Sequence, residues 1–207
     1  MPDVNGPSDR LLACVLDLLV AEGYEGISIR RVAAAAGVSI GAVQHHFPTK
    51  DALLAAAMDR VSRQFQERLD RRVAPGAGPA ELLRAVADEL LSTGEERRPA
   101  SVIWLVRMAR AAVHEPTAAV HLQEWQQVED LLAQLIGAAR PDLAAQAVRD
   151  EATVLLALLD GLAGAVAVEP GRVPADRAET LVARHLDALV GPDAPMDRQA
   201  VCGEVSR

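Results

Sequence analysis

The segment from residue 28 to residue 50, SIRRVAAAAGVSIGAVQHHFPTK, constrains the fold more than any other part of the chain. Ser28 is suited to cap a short helix, and Gly37 stands where that helix would end in the left-handed conformation that glycine adopts most easily. Ser39 can cap a second helix, which ends at Phe47 because a proline follows. Two short helices joined by a glycine-containing turn predict a helix-turn-helix, whose second helix enters the major groove of DNA.

The order and spacing of these residues resemble the DNA-binding domain of the TetR family of transcriptional regulators. Three stretches carry the resemblance: SIRRVA at 28–33, AGVSxGxV at 36–43 and HFxxK at 46–50. One position departs from it, since the family usually has tyrosine where this chain has Gln44. Glutamine can still donate to a phosphate or read adenine with two hydrogen bonds. The resemblance implies about nine helices, a C-terminal domain that binds a small-molecule effector, and a dimer.

The composition favours packed helices over strands. Half of the 207 residues are hydrophobic, mostly Ala, Leu and Val, and aromatic residues are scarce. No uninterrupted apolar run approaches the length of a membrane span, and the first ten residues lack the features of a signal peptide. Cys14 and Cys202 lie far apart, so we expect them to be unpaired in a reducing cytoplasm.

The distribution of charge fits a small DNA-facing module on an acidic body. The formal net charge is −8, which looks unsuitable for a protein that binds DNA. Residues 26–50, however, carry Arg30, Arg31 and Lys50 and no carboxylate. The acidic excess therefore falls on the rest of the chain.

The positions of apolar residues and helix breakers predict an all-α protein. A first helix is expected from about Asp9, with Ser8 as its cap, and a long fourth helix should begin after Thr49. The clearest linker is PGAGP at 75–79. We expect a helix-turn-helix domain at 8–54, a helical effector-binding and dimerisation domain at 55–191, and a mobile tail at 192–207. Within the second domain, helices are predicted at 80–93, 100–114, 117–139, 142–168 and 175–190.

The second helix of the motif is short enough for its residues to be assigned individually. The spacing of three apolar residues seats this helix on its neighbours; they are Val38, Val43 and Phe47. Gly41 would let the backbone approach DNA closely. The candidates for DNA contact are Ile40, Gly41 and Ala42, facing the bases; Gln44 and His45, which can hydrogen-bond to bases or phosphates; and Ser28, Arg31, Ser39, His46 and Lys50, positioned for phosphates.

A dimer is expected because one such module reads only a few base pairs. Two recognition helices about 34–36 Å apart would bind a palindromic operator. Residues 153–166 are apolar almost all round, and a helix of that kind must be buried on every face. Ordinary core packing remains an alternative reading of these helices. The predicted interface consists of Leu155, Leu159, Gly161, Leu162, Gly164, Leu181, Leu186 and Leu189.

The sequence indicates the effector site less clearly than the DNA-contacting residues. The resemblance implies a cavity among helices 4 to 8 that takes a small and largely apolar molecule. Large or polar residues in that part of the chain are the candidates, although the two at one helical turn, Trp104 and Met108, have the spacing of core residues as well. The predicted lining residues are Trp104, Arg107, Met108, His121, Trp125 and Asp160.

No pattern in the chain indicates catalysis, a cofactor or a metal site. Motifs such as GxSxG, a phosphate loop, HExxH and CxxC are lacking, and adjacent residues such as His45 and His46 diverge on a helix. The helix-turn-helix motif predicts a regulator that binds double-stranded DNA, and the resemblance implies that it is ligand-responsive and most simply a repressor. A helical small-molecule-binding protein without DNA-binding activity remains the alternative.

Overall fold

The chain folds into helices alone over the residues that the computed structural model describes, which are 6–74, 76–94 and 97–191. The all-α prediction is confirmed. In chain order the helices are α1 (Pro7–Glu22), α2 (Ile29–Ala36), α3 (Ile40–His46), α4 (Lys50–Arg72), α5 (Pro79–Leu91), α6 (Arg98–Ala111), α7 (Glu115–Ala139), α8 (Ala145–Val168) and α9 (Ala175–Val190).

Side-chain caps fix the starts of α2, α3 and α4. Ser28, Ser39 and Thr49 each accept a hydrogen bond from the backbone N–H three residues later, at distances between 3.0 and 3.2 Å. Gly37 ends α2 with φ 66° and ψ 31°, the left-handed geometry that only glycine adopts without strain. Because all four residues act as predicted, local sequence determines the helix-turn-helix.

The start of α1 differs from the prediction. The helix begins at Pro7, and Gly6 is the capping residue, with no side-chain hydrogen bond, so Ser8 is not the cap. Proline is favoured at a first helical position because its φ is preset and it has no N–H to satisfy.

The helices build two hydrophobic cores. The first is formed by α1, α2, α3 and the beginning of α4, and it also includes Ile103 from α6. The second is formed by the end of α4 together with α5, α7, α8 and α9, with Leu83, Leu132 and Leu155 fully buried at its centre. We refer to these as the DNA-binding module and the sensor core. Helix α4 contributes residues to both cores and so connects them.

A buried carboxylate joins α4 to α5. Glu89 is only 2% exposed, and its carboxylate oxygens lie 2.8 Å from Arg68 Nε and 3.0 Å from Arg97 Nη2, with Arg72 Nη1 at 3.8 Å. Three guanidinium groups therefore surround one buried carboxylate, and two of them also pair with Asp88. This network fixes the C-terminal half of α4 against the sensor core.

Helix α8 is the most apolar element. Among the described residues it alone is long and apolar enough to cross a membrane by length and composition, with a mean hydropathy of 1.8 over 18 residues. Its apolar stretch is interrupted by Asp160. The core helix of a soluble protein passes the same test, and α8 packs against α5, α6, α7 and α9. This feature is therefore weak evidence for a membrane.

Two expectations concern residues outside the described ranges. The predicted tail at 192–207, which includes Cys202, and Pro75 of the predicted linker lie outside them. Cys14 is a free cysteine in α1. The domain boundary expected at residue 54 falls inside α4, which is continuous from Lys50 to Arg72.

Candidate DNA-binding face and effector site

Helix α3 presents nearly all of its polar and small residues to solvent. Its first residue, Ile40, is exposed, whereas Val43 and Phe47 are buried and seat the helix on the module. Val38 does not belong to this seat, because it is 42% exposed. It lies in the turn before α3, where helical spacing does not apply, and its N–H is bonded to the carbonyl of Ala33. The outward residues of α3 are Ile40, Gly41, Ala42, Gln44, His45 and His46.

Nothing in the chain itself requires glycine at position 41. A Cβ built there would meet only the side-chain oxygen of Ser39, at 3.9 Å, which is an ordinary contact. The backbone is helical at this point, where glycine costs about 1 kcal/mol relative to alanine. Gly41 therefore leaves open space on the exposed side of α3, as a close approach of DNA would need.

The side chains predicted to contact phosphates have partners within the chain. Arg31 forms an ion pair with Glu22. Residues 26–50 contain no acidic residue, but this acidic side chain from α1 lies beside them in the fold. Lys50 donates to the carbonyl oxygen of Tyr24 at 3.0 Å and lies 4.0 Å from the centre of its ring. The cap oxygens of Ser28 and Ser39 accept hydrogen bonds, which leaves each hydroxyl hydrogen free to donate.

Tyr24 is the point where the DNA-binding module meets α6. The guanidinium of Arg110 lies 4.5 Å from the centre of the Tyr24 ring, and its Nη2 lies 2.6 Å from Oδ1 of Asp51. Lys50 contacts the same ring, so two cations from different parts of the fold share one aromatic side chain. The sequence analysis missed Tyr24, Asp51 and Arg110. The one available signal was that Tyr24 is the only tyrosine in the chain.

A cavity of about 350 Å³ adjoins this contact. It lies between the DNA-binding module and helices α6 and α7, so its walls come from both halves of the molecule. Its volume is within the range of small-molecule sites. The apolar part of the lining consists of Leu54, Ala55, Met58, Val106, Pro116 and Val120, and the polar part of Tyr24, Asp51, Asp59, Arg107, Arg110, His114, Thr117 and Glu124.

Beside the cavity, residues from α6, α7 and α8 gather around Trp125. The Trp104 ring stacks near it with centroids 6.4 Å apart, and the His121 ring lies 4.6 Å away. The guanidinium of Arg107 is 5.9 Å from the Trp125 ring centre. The indole N–H of Trp125 donates to Asp160 at 2.9 Å. These five residues form what we call the Trp125 cluster.

Burial perturbs two titratable groups of the Trp125 cluster. It raises the pKa of Asp160 to about 6, and the hydrogen bond from Trp125 opposes this only in part. Burial also lowers the pKa of His121, and the positive charge of Arg107 lowers it further. Both shifts favour the neutral form of the side chain, as expected for a site shielded from water.

Several polar atoms of the Trp125 cluster lack partners. Arg107 is 8% exposed, and its Nη1 lies 2.5 Å from a carboxylate oxygen of Glu124. Its Nη2, together with Trp104 Nε1 and His121 Nδ1, is buried without a hydrogen-bond partner. Each such atom costs about 1–3 kcal/mol of stability. Such atoms require a partner, which an ordered water or a bound molecule can supply.

Five of the six predicted effector-site residues are therefore brought together, namely Trp104, Arg107, His121, Trp125 and Asp160. Met108 is the exception, since it is 38% exposed and does not line the cavity. Although it follows Trp104 by four residues, its side chain does not lie on the inward face of α6. Of the five, Arg107 lines the cavity itself, and the other four lie behind it.

The residues predicted for the dimer interface divide into three groups. The side chains of Leu155, Leu159, Leu186 and Leu189 are buried within one protomer, so they belong to the sensor core and do not form an exposed surface. A Cβ on Gly164 would lie 3.6–3.7 Å from Leu105 and Trp104, which shows that this glycine serves the contact of α8 with α6. Gly161, Leu162 and Leu181 remain wholly or partly exposed.

No group of three or more metal-ligating side chains occurs in the described part of the chain. His45 and His46 are adjacent on α3, with ring centroids 5.3 Å apart in an edge-on arrangement. Both side chains are exposed on the helix that the motif assigns to DNA.

The fold and these surfaces define a class of protein: a helix-turn-helix DNA-binding module joined to a helical sensor domain with a small-molecule cavity. Comparisons with known proteins agree with this class. Residues 11–57 match the family described as bacterial regulatory proteins, tetR family, and residues 79–191 match the BetI-type transcriptional repressor, C-terminal domain. The chain belongs to the TetR family of transcriptional regulators, in its BetI-type branch.

Individual relatives support the assignment along most of the chain. The transcriptional regulator PksA of Bacillus subtilis is 32% identical over 179 residues, which cover 85% of this chain and 86% of the relative. BetI 1 of Chromohalobacter salexigens is 29% identical over 181 residues, covering 86% and 87%. A transcriptional regulator from Rhodococcus has a TM-score of 0.77 at 30% identity, covering 89% of this chain and 96% of that structure.

A structural neighbour with lower identity shares the fold. A regulator from Saccharomonospora viridis, solved in complex with choline, has a TM-score of 0.78 at 21% identity, covering 87% of this chain and 95% of that structure. The function predicted from the sequence, a ligand-responsive transcriptional regulator that binds DNA, is confirmed. The alternative without DNA-binding activity is not favoured.

Proposed function

We propose that this protein is a dimeric repressor that binds a palindromic operator and is released from it by a small molecule bound beside Arg107. The observation that carries the proposal is the cavity, because its walls include Tyr24 and Asp51 of the DNA-binding module as well as residues of α6 and α7. An occupant of this cavity would touch both halves of the molecule. The protein would act in the cytoplasm, where the DNA is.

The base-reading surface of the proposal is α3. Ile40 and Ala42 can contact a thymine methyl group, and Gln44 and His45 can hydrogen-bond to base edges. Ser28, Ser39 and His46 can donate to phosphates without distortion of the module. Arg31 and Lys50 would first have to exchange their present partners, Glu22 and Tyr24, for phosphate oxygens.

The contact around Tyr24 provides a route from the cavity to the DNA. Arg110 holds both Tyr24 and Asp51, and it lines the cavity. A molecule that displaces Arg110 would loosen the attachment of the module to α6 and change the position of Tyr24, on which Lys50 rests. Because the coupling is reciprocal, operator DNA would weaken effector binding by the same factor.

The DNA-binding part of the proposal is tested by fluorescence anisotropy on labelled DNA from upstream of the protein's own gene. The titration is run at two salt concentrations and against a scrambled duplex. We expect tight, sequence-selective binding that weakens with salt. Gln44→Ala should reduce the preference for the operator, whereas Gln127→Ala, a matched change on an exposed position of α7, should not. Failure of a folded dimer to bind any DNA at low salt would refute the proposal.

The dimer would form through the outer face of α8 and α9. Val154, Ala157, Gly161 and Val168 are exposed and recur on one side of α8, where they form an apolar stripe. Gly161 has no atom within 4 Å of a Cβ position, so a neighbouring helix could approach closely there. Leu162 and Leu181 flank the stripe as half-buried residues. Exposed apolar patches of this kind are typical of protein interfaces.

Sedimentation analysis tests the dimer. Val154→Asp places a charge at the N-terminal end of the apolar stripe and should shift the protein to monomer at micromolar concentration. Val113→Asp, at an 86% exposed position between α6 and α7, is the matched control and should leave the dimer intact. A Val154→Asp protein that remains dimeric would place the interface elsewhere.

A further inference from the structure

We propose that the effector is a small organic acid, whose carboxylate accepts hydrogen bonds from Arg107 and whose apolar body fills the neighbouring cavity. The inference rests on the proposed function, since it takes the cavity and the Trp125 cluster to be the effector site. It adds the chemical class of the ligand, which neither the fold nor the family determines.

The first argument is the kind of hydrogen bonding that the site leaves unused. Of the five buried side-chain nitrogen or oxygen atoms without a partner in the described residues, three belong to the Trp125 cluster. Two of them, Trp104 Nε1 and Arg107 Nη2, can only donate. These residues are three positions apart on α6 and so lie on the same face of the helix. A group with acceptor oxygens is the natural complement.

The second argument is the state of Arg107. Its guanidinium is almost wholly buried, and only one of its two terminal nitrogens is paired, with Glu124. A planar guanidinium matches a carboxylate with two parallel hydrogen bonds, and such charge-assisted bonds are the strong ones. A carboxylate at Arg107 would bind next to Glu124 or replace it.

The third argument weighs against an ammonium ligand. An aromatic site for a cation needs an open ring face without another cation beside it. Trp125 already has Trp104 and His121 against its ring, and Arg107 lies 5.9 Å from its centre. The acidic groups of the site are engaged, since Glu124 is paired with Arg107 and Asp160 accepts from Trp125.

The cavity determines the rest of the ligand. Arg107 and Glu124 form part of its wall, and Leu54, Met58 and Val120 provide apolar surface. A carboxylate placed at Arg107 therefore leaves an apolar body in contact with α4 and α7. A volume of about 350 Å³ suits a short aliphatic or a single-ring acid.

Intrinsic tryptophan fluorescence provides the test, because the only two tryptophans of the chain are Trp104 and Trp125. The full-length protein is titrated with straight-chain carboxylates from butanoate to decanoate and with phenylacetate. The corresponding primary amides are the neutral isosteres, and choline is the cationic probe. We expect at least one acid to give a saturating change, its amide to bind about tenfold or more weakly, and choline to give none.

Variants locate the acid in the structure. Arg107→Gln removes the charge and should weaken binding of the acid by about tenfold or more. Arg107→Lys keeps the charge but loses the planar fork, and it should weaken binding severalfold. Arg149→Gln, at an exposed position of α8, is the control and should bind as the wild type does. If Arg107→Gln does not fold, as judged by circular dichroism, the Arg107→Lys variant carries the test.

Three results would overturn the inference: saturating binding of choline without any response to the acids, no response to any acid up to about 10 mM, or unchanged affinity for the acid in the folded variants. Failure of the proposed function is measured separately. A protein that binds the acid through Arg107 but shows no acid-sensitive binding to DNA would refute the repressor mechanism and leave the ligand class in place.

Discussion

Replacing Glu89 with glutamine removes one charge from the most deeply buried ionic network of the described structure. The side chain keeps its size, but the new amide N–H groups face guanidinium groups. A guanidinium has no hydrogen-bond acceptor, so these N–H groups have no partner there. Breaking a fully buried ion pair costs about 3–5 kcal/mol, whereas exposed pairs contribute at most about 1 kcal/mol. The partners Arg68 and Arg97 are 29% and 24% exposed, so water recovers part of the loss. We expect the free energy of unfolding to fall by about 3 kcal/mol.

Urea unfolding at a fixed protein concentration measures this change, since the stability of the proposed dimer would depend on concentration. The midpoint should fall by about 1 M or more without a change in slope. Asp130→Asn provides the control, because it breaks an exposed pair between Asp130 and Arg149, both more than 60% exposed, and should change stability by no more than about 0.5 kcal/mol. If Glu89→Gln is as mild as the control, the network does not stabilise the junction of α4 and α5 as described.

Three further predictions concern the turn, the junction and the effector site. Gly37→Ala should destabilise the protein by about 1–2 kcal/mol in the same urea assay, because alanine is strained at φ 66°, whereas an unchanged midpoint would contradict the cap geometry. Arg110→Ala should reduce the factor by which the effector lowers DNA affinity, measured by anisotropy with and without ligand, and full coupling in this variant would rule out the contact around Tyr24 as the route. Asp160 should make the protein less stable as the pH rises from 3.8 to about 6, because its pKa is higher in the folded state; Asp160→Asn should abolish this dependence, and its persistence in the variant would assign it to another group.

The part of the fold that was predictable from sequence is the part that local chemistry determines. Ser28, Ser39 and Thr49 cap their helices through the backbone three residues away, and Gly37 acts through its own φ angle. Such interactions need no knowledge of the rest of the chain. The same holds for the exposed residues of α3, because the positions of its buried residues follow from helical spacing.

What could not be predicted depends on contacts between distant parts of the chain. Arg110 and Tyr24 are separated by most of the first half of the sequence, and no periodicity connects them. Leu155 and Leu189 look alike whether they face the core of one protomer or a second copy, since both environments are apolar. The tertiary structure assigns them to the core because α5, α7 and α9 surround that side of α8.

Ile103 lies in α6, yet it is buried in the core of the DNA-binding module. The module is thus complete only when Ile103, which lies far beyond the end of α3 at His46, has been added. A fragment that ends within α4 would keep every residue of the helix-turn-helix motif but would expose the apolar surface on α1 that α6 covers. During synthesis, the same surface stays open until α6 has emerged from the ribosome. The DNA-binding half of this protein is therefore a unit of recognition but not an independent unit of folding.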